Sequence, residues 1–286
     1  MGLKPGGVER LGESLLAAGL RERIEASSSV ILVSTRNSEY SFERDEETNC
    51  LNPIFIVEFS KMLIPVISNE LERNDFPLVL GGDCSILAGV MPALKSRGSY
   101  GLIFMDAHSD FYTPDQSPTG ELADMDLGIV TGHGPELLNN INGLGPYVNE
   151  EQVIHLGQRD AIEVETYHAP DIRKTPIHCY DLEMIREQGL TSVSEKILDK
   201  IDELDLDGFW IHFDTDVIAD EENPAVDYRL PGGLSFEEAK LFLTTLLGTK
   251  KIVGMTVTIF NPDLDPKGSI AEKITACLSE AFKVSF

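Results

Sequence analysis

Positive charge is what this sequence most lacks. Its 23 lysines and arginines face 48 aspartates and glutamates, for a formal net charge of -25. Nucleic-acid binding draws on cationic contacts to phosphate, and adhesion to anionic membranes draws on the same charge, so neither partner is expected. Cysteine is sparse as well. Cys50, Cys84, Cys179 and Cys277 stand far apart with no CxxC pair, which excludes a disulfide scaffold and a zinc ribbon. No apolar run approaches the ~20 residues of a membrane span. The opening MGLKPGGVERLGESLLAAGL carries acids and glycines where a signal peptide needs a continuous apolar core. A soluble cytoplasmic protein with free thiols is expected, its surplus acid either solvated or used to hold cations.

At 286 residues the chain can bury a sizeable core. β-branched runs alternate with amphipathic stretches. Strands are expected in SVILVST (29–35), FPLVLGG (76–82), YGLIFMDAH (100–108), QVIHLGQRD (152–160), PIHCYD (176–181), GFWIHFDTDV (208–217) and KIVGMTVTIF (251–260). Helices are expected in LGESLLAAGLRERIEA (11–26), in 53–74 with a kink at Pro65, and in 192–204, 235–247 and 269–284. Ser235 followed by Glu238 reads as a capping box. Alternating β and α elements predict a mostly parallel sheet covered on both faces, with ligands bound beyond the strands' carboxyl ends.

Those ends are rich in carboxylates. LVLGGDCS ends in Asp83 and Cys84, GLIFMDAHSD in Asp106, His108 and Asp110, and GFWIHFDTDV in Asp214 and Asp216. One such aspartate is usually a turn or cap residue. Repeated on several buried strands, ionised carboxylates would repel one another at a desolvated edge, and a divalent cation relieves that cost. In an extended segment D-x-H-x-D puts its three side chains on one face. The donor set suits manganese or another first-row divalent ion, and two ions sharing carboxylates are compatible with it. Cys84 is open to three readings: a ligand, an inert buried thiol, or a nucleophile, the last with no base evident beside it. His155, His178 and His212 fall inside strands and read as core or supporting residues.

Taken together, GGDCS (81–85), DAHSDFYTP (106–114), DTDVIAD (214–220), PGGLS (231–235), LGQRD (156–160) and FNP (260–262) resemble the ureohydrolase family of arginases and agmatinases, in order and over nearly the whole chain. The resemblance implies a single domain over residues 1–286 with a three-layer, arginase-like α/β fold. It further implies two Mn2+ ions per subunit, with Zn2+ or Ni2+ as alternatives. The ligands would be Cys84, Asp106, His108, Asp110, Asp214 and Asp216, with Asp106 and Asp214 bridging. The implied activity is hydrolysis of a guanidino or amidino C–N bond by a metal-bridging hydroxide held by Asp110, in a trimer or hexamer.

The departures bear on function. Cys84 stands where the family has a histidine, as in the branch that includes the hydroxyarginine hydrolase of cycloserine biosynthesis, which FYTPDQSPTGELADM also resembles. A thiolate is softer than imidazole and shifts metal preference toward zinc. The family's proton-shuttle histidine falls on Ala123, for which His133, Glu121 or Asp124 would have to substitute. The glutamate that grips the guanidinium falls on Ile259, so Glu121 takes its place or the substrate is less cationic, a hydroxyguanidine for example. Tyr112, Thr119 and Glu165 match positions near the substrate. A metal-binding protein of this fold without hydrolase activity is the alternative reading. The family has a strand ahead of the opening helix, and Met1 nearly begins at that helix, so either the sheet lacks a strand or the amino terminus has been set late.

Overall fold

The protein is described from a computed structural model covering residues 2–27, 29–34 and 39–285. Six strands form one sheet: β1 (Leu78–Leu80), β2 (Tyr100–Met105), β3 (Val153–Leu156), β4 (His178–Tyr180), β5 (Gly208–Asp214) and β6 (Ile252–Thr258). Their order is β1-β6-β5-β2-β3-β4, and every pairing is parallel. The helices are α1 (Leu11–Ala17), α2 (Leu20–Arg23), α3 (Pro53–Glu72), α4 (Leu87–Lys95), α5 (Asp126–Val130), α6 (Glu136–Asn139), α7 (Ala161–Thr166), α8 (Leu182–Gln188), α9 (Leu190–Leu204), α10 (Phe236–Leu247) and α11 (Ser269–Ser285).

Side chains alternate across a strand, so each strand feeds two cores. Ile103, Met105, Ile211 and Phe213 pack with α1, α9, α10 and α11. Leu102, Phe104 and Trp210 pack with α3, α4 and α5 on the opposite face. The two faces give the three layers expected. α9 turns its stripe of Val193, Ile197 and Ile201 inward. Ser235 and Glu238 form the capping box, each side chain meeting the other's backbone N–H. No helix among the described residues is long and apolar enough to cross a membrane.

Two elements differ from expectation. Residues 29–34 of SVILVST form no strand, and Thr35 lies outside the described residues. Val30, Ile31 and Leu32 are exposed, because a strand needs a ladder partner and the segment reaches no sheet edge. The first helix breaks in two at Gly19, whose left-handed φ of 83° ends one helical run and begins the next. α3 continues through Pro65.

Trp210 on β5 lies against Gly254 on β6, and a Cβ at Gly254 would fall inside the indole. Gly254→Ala should therefore destabilise the protein by about 1–3 kcal/mol or more through overpacking. Urea unfolding measures this, and an unchanged midpoint would show that the indole can move aside.

Candidate metal centre

The site is built in layers across the sheet. His155 of β3, Phe104 of β2, His212 of β5 and Thr256 of β6 lie side by side in register, all buried. Phe104 stacks on His212 with centroids 4.8 Å apart. One layer further toward the carboxyl ends come Asp106, Asp214 and Thr258. Cys84 enters from the glycine turn after β1, where Asp83 caps the turn by accepting from the Ser85 N–H at 3.1 Å.

Two groups of donor atoms among the described residues lie close enough to share a cation. Cys84, Asp106, His212 and Asp214 form one, with ligand atoms all within 4.8 Å of each other; Asp106, His108 and Asp216 form the second. Asp106 belongs to both. The Cys84 thiol donates to Asp214 Oδ2 at 2.8 Å, and His108 Nδ1 is 2.9 Å from Asp216 Oδ2. Asp106 Oδ1 accepts from the His108 N–H at 2.6 Å, whereas Asp106 Oδ2 is buried without a hydrogen-bond partner. An orphaned carboxylate oxygen between a thiol, an imidazole and a second aspartate is what a divalent cation would satisfy, so the donor set fits a metal.

The electrostatics agree. Burial and the neighbouring Asp216 raise the Asp106 carboxyl to about 7. Burial and mutual repulsion push Asp110, Asp126 and Asp214 well above the usual range. Burial opposes ionisation of Asp216 too, but His108 and the Arg159 guanidinium outweigh it and hold that carboxyl low. Burial pushes the Cys84 thiol up, helped by Asp214. His155 and His212 are driven down to about 4 and about 3 by burial and are neutral.

Not every expected residue reaches this cluster. Asp110 joins neither donor group. The chain leaves the strand at Met105, bends, and reaches Asp110 at a positive φ of 42°, so the extended one-face geometry expected of D-x-H-x-D does not form. Asp110 lies near Asp106, Asp126, Asp214 and Asp216, beside both groups. His133 pairs with Glu150 at 2.7 Å and sits edge-on to Phe111. Glu150 precedes the amino end of β3, and the two donor groups leave the carboxyl ends of the strands. Glu121 is buried and its carboxylate is engaged: Tyr228 O–H donates to Oε2 at 2.8 Å, while Tyr40 O–H and the Lys4 N–H donate to Oε1. Thr119 donates to Asp124 at 2.5 Å, and burial raises that carboxyl to about 6. Tyr112 is buried beside Asp110 and Asp160, and Glu165 is exposed on α7.

Other contributors had little signal in the sequence. His212 reads from the sequence as a core or supporting residue, and the register places it beside Cys84, so Cys84 does have an imidazole nearby. Asp126 is fully buried, and neither oxygen meets a donor. An acid between Met125 and Leu127 in an apolar stretch was the available clue. Asp160 accepts from the Ser109 N–H and hydroxyl at 2.8 and 2.9 Å and so anchors the DAHSD loop. His155 Nε2 donates to the His108 carbonyl at 2.8 Å.

Above Cys84 the surroundings are apolar. Leu3, Val8, Ala123, Val226 and Ile259 cluster with the thiol. The Ala123 N–H donates to the Gly2 carbonyl at 3.1 Å, which lays the amino-terminal segment over the rim. Ile259 holds a φ of 71° in a γ-turn closed by the Phe260 N–H to the Thr258 carbonyl at 2.9 Å. A β-branched residue there is strained by about 1–3 kcal/mol.

A parallel, doubly covered α/β sheet with a buried, cation-competent donor cluster at its carboxyl rim defines the class of protein. The chain belongs to the arginase family, whose profile matches residues 19–283. It is 31% identical over 226 residues to the arginase of Bacillus subtilis strain 168, covering 79% of this chain and 74% of that protein. The structure resembles the native arginase of Bacillus caldovelox at pH 5.6, with a TM-score of 0.85, 26% identity, and 98% and 95% of the two chains covered. It also resembles the Bacillus cereus arginase, with a TM-score of 0.83, 27% identity, and 96% and 92% covered.

A carboxyl raised on folding binds protons that the unfolded chain has released. The penalty at Asp106 is therefore absent below about pH 4, grows as pH rises, and is complete above about pH 7. In metal-free protein, Asp106→Asn should leave stability unchanged near pH 4 and raise it at pH 8 by about 2–4 kcal/mol. Denaturant titrations at the two pH values test this, and an equal effect at both would refute it.

Proposed function

We propose that the protein is a dinuclear metal-dependent hydrolase of a guanidino or amidino C–N bond. The observation that carries this reading is the pair of donor groups sharing Asp106 at the carboxyl rim. Cys84, Asp106, His108, Asp214 and Asp216 would hold two divalent cations, manganese by preference or zinc or nickel, with Asp110 beside them. Such ions supply a water nucleophile near neutral pH and stabilise developing charge.

The chain's own residues constrain the rest. Asp160 and His155 fix the DAHSD loop so that His108 faces Asp216. Arg159 donates to the Asp216 carbonyl at 2.8 Å and steadies the opposite side. Ala123 cannot relay a proton and Ile259 offers no anion to a guanidinium. Glu121 is spent on Tyr40, Tyr228 and Lys4. A less basic leaving group therefore suits this site, and a hydroxyguanidine, which can expel hydroxylamine and leave a substituted urea, is the substrate class we favour. Glu165, exposed on α7, is the acid we assign to the substrate's polar end.

One observation favours a second reading, in which the family's metal site is kept without hydrolysis: Leu3, Ala123 and Ile259 fill the space over Cys84 with apolar side chains. Purified protein loaded with manganese, zinc or nickel, offered arginine, agmatine and hydroxyarginine, separates the two. Release of hydroxylamine from hydroxyarginine is expected, with urea and hydroxyurea measured alongside, abolished by chelation and reduced at least about 100-fold by Asp214→Asn. No product from any of the three at full metal occupancy would establish the non-hydrolytic reading.

A further inference from the structure

The two donor groups differ in chemistry, and this refinement rests on the metal-dependent reading above. We propose that His212 is a metal ligand, and that Cys84 and His212 with Asp106 and Asp214 form a thiophilic position for a zinc-like ion beside a harder position, made by Asp106, His108 and Asp216, for manganese. The centre would then hold two unlike ions.

The contacts around His212 show which nitrogen faces the cluster. Thr256 Oγ1 lies 2.9 Å from His212 Nδ1. In the tautomer whose Nδ1–H donates to that hydroxyl, the Nε2 lone pair is free. Its nearest polar contact is Thr258 Oγ1 at 3.4 Å, which is long for a hydrogen bond, and the same hydroxyl lies 3.4 Å from Cys84 Sγ. A ligating histidine whose other nitrogen donates to a fixed acceptor is the usual arrangement at metal sites. Stacking on Phe104 holds the ring plane.

An independent observation points to a ligand at the same place. Asp106 is fully buried, and its Oδ2 has no partner. Sulfur plus imidazole selects zinc or cobalt over manganese, whereas the second group offers one imidazole and two carboxylates. Binding at the first position requires the Cys84 thiol to lose its proton to solvent, so uptake there releases a proton and weakens as pH falls.

The test uses the full chain, metal-free and without substrate. One equivalent of cobalt should give a near-ultraviolet thiolate-to-cobalt charge-transfer band that Cys84→Ser abolishes. His212→Gln should weaken cobalt binding at least about tenfold. X-ray absorption of the unmodified protein with one equivalent of zinc, which needs no variant to fold, should show one sulfur at about 2.3 Å and nitrogen at about 2.0–2.1 Å. Manganese added to that zinc form should bind to one ion per chain. A first ion with sulfur but without imidazole nitrogen would overturn the role of His212. A first ion without sulfur would overturn the whole proposal. In either case, continued product release from guanidino compounds would leave the hydrolase reading standing, whereas failure to bind any divalent ion would remove both.

Discussion

Several buried carboxylates meet at the carboxyl rim of this sheet, and the repulsion among them is the constraint around which the surrounding structure is arranged. Asp106, Asp110, Asp126 and Asp214 are each pushed toward the protonated form by burial and by one another. Beside them, the positive charge of His108 and Arg159 holds Asp216 low. The folded chain supplies too few donors to quiet the rest, and Asp106 Oδ2 and both oxygens of Asp126 are left without one. Divalent cations resolve this, because they favour the ionised form of every carboxylate at once.

The supporting contacts follow from that arrangement. Asp160 and His155 hold the loop that carries His108, and Thr256 orients the ring of His212. None of the three needs to touch a substrate to matter, since a donor displaced by an ångström alters how a cation is held. The other side of the site is built differently. Leu3, Ala123, Val226 and Ile259 form an apolar cluster with Cys84.

Much of this was legible from residue order. Six strands and the long helices α3, α9, α10 and α11 follow from apolar periodicity, and Cys84, Asp106, His108, Asp214 and Asp216 stand at strand ends where ligands bind in such folds. SVILVST misled because β-branched composition measures fit to a sheet surface and does not supply a partner edge. The one-face geometry of D-x-H-x-D misled because the spacing argument assumed an extended chain, and the strand stops at Met105. His212 was unreadable as a possible ligand: a histidine within a strand is ordinarily core, and only its register against Phe104 and Thr256 brings it beside Cys84.

By itself the sequence determined the alternation of strands and helices, hence a parallel sheet covered on both faces, and the acids stationed at its strand ends. These are local properties, set by side-chain periodicity and by motif spacing along the chain. Only the tertiary structure decided which donors lie close enough to share a cation, that Glu121 is engaged by two tyrosines and the Lys4 backbone, and that the Gly2 carbonyl is tied to Ala123. Those outcomes depend on inter-strand register and on contacts across more than 100 residues of chain, and neither is encoded in the spacing of neighbouring residues.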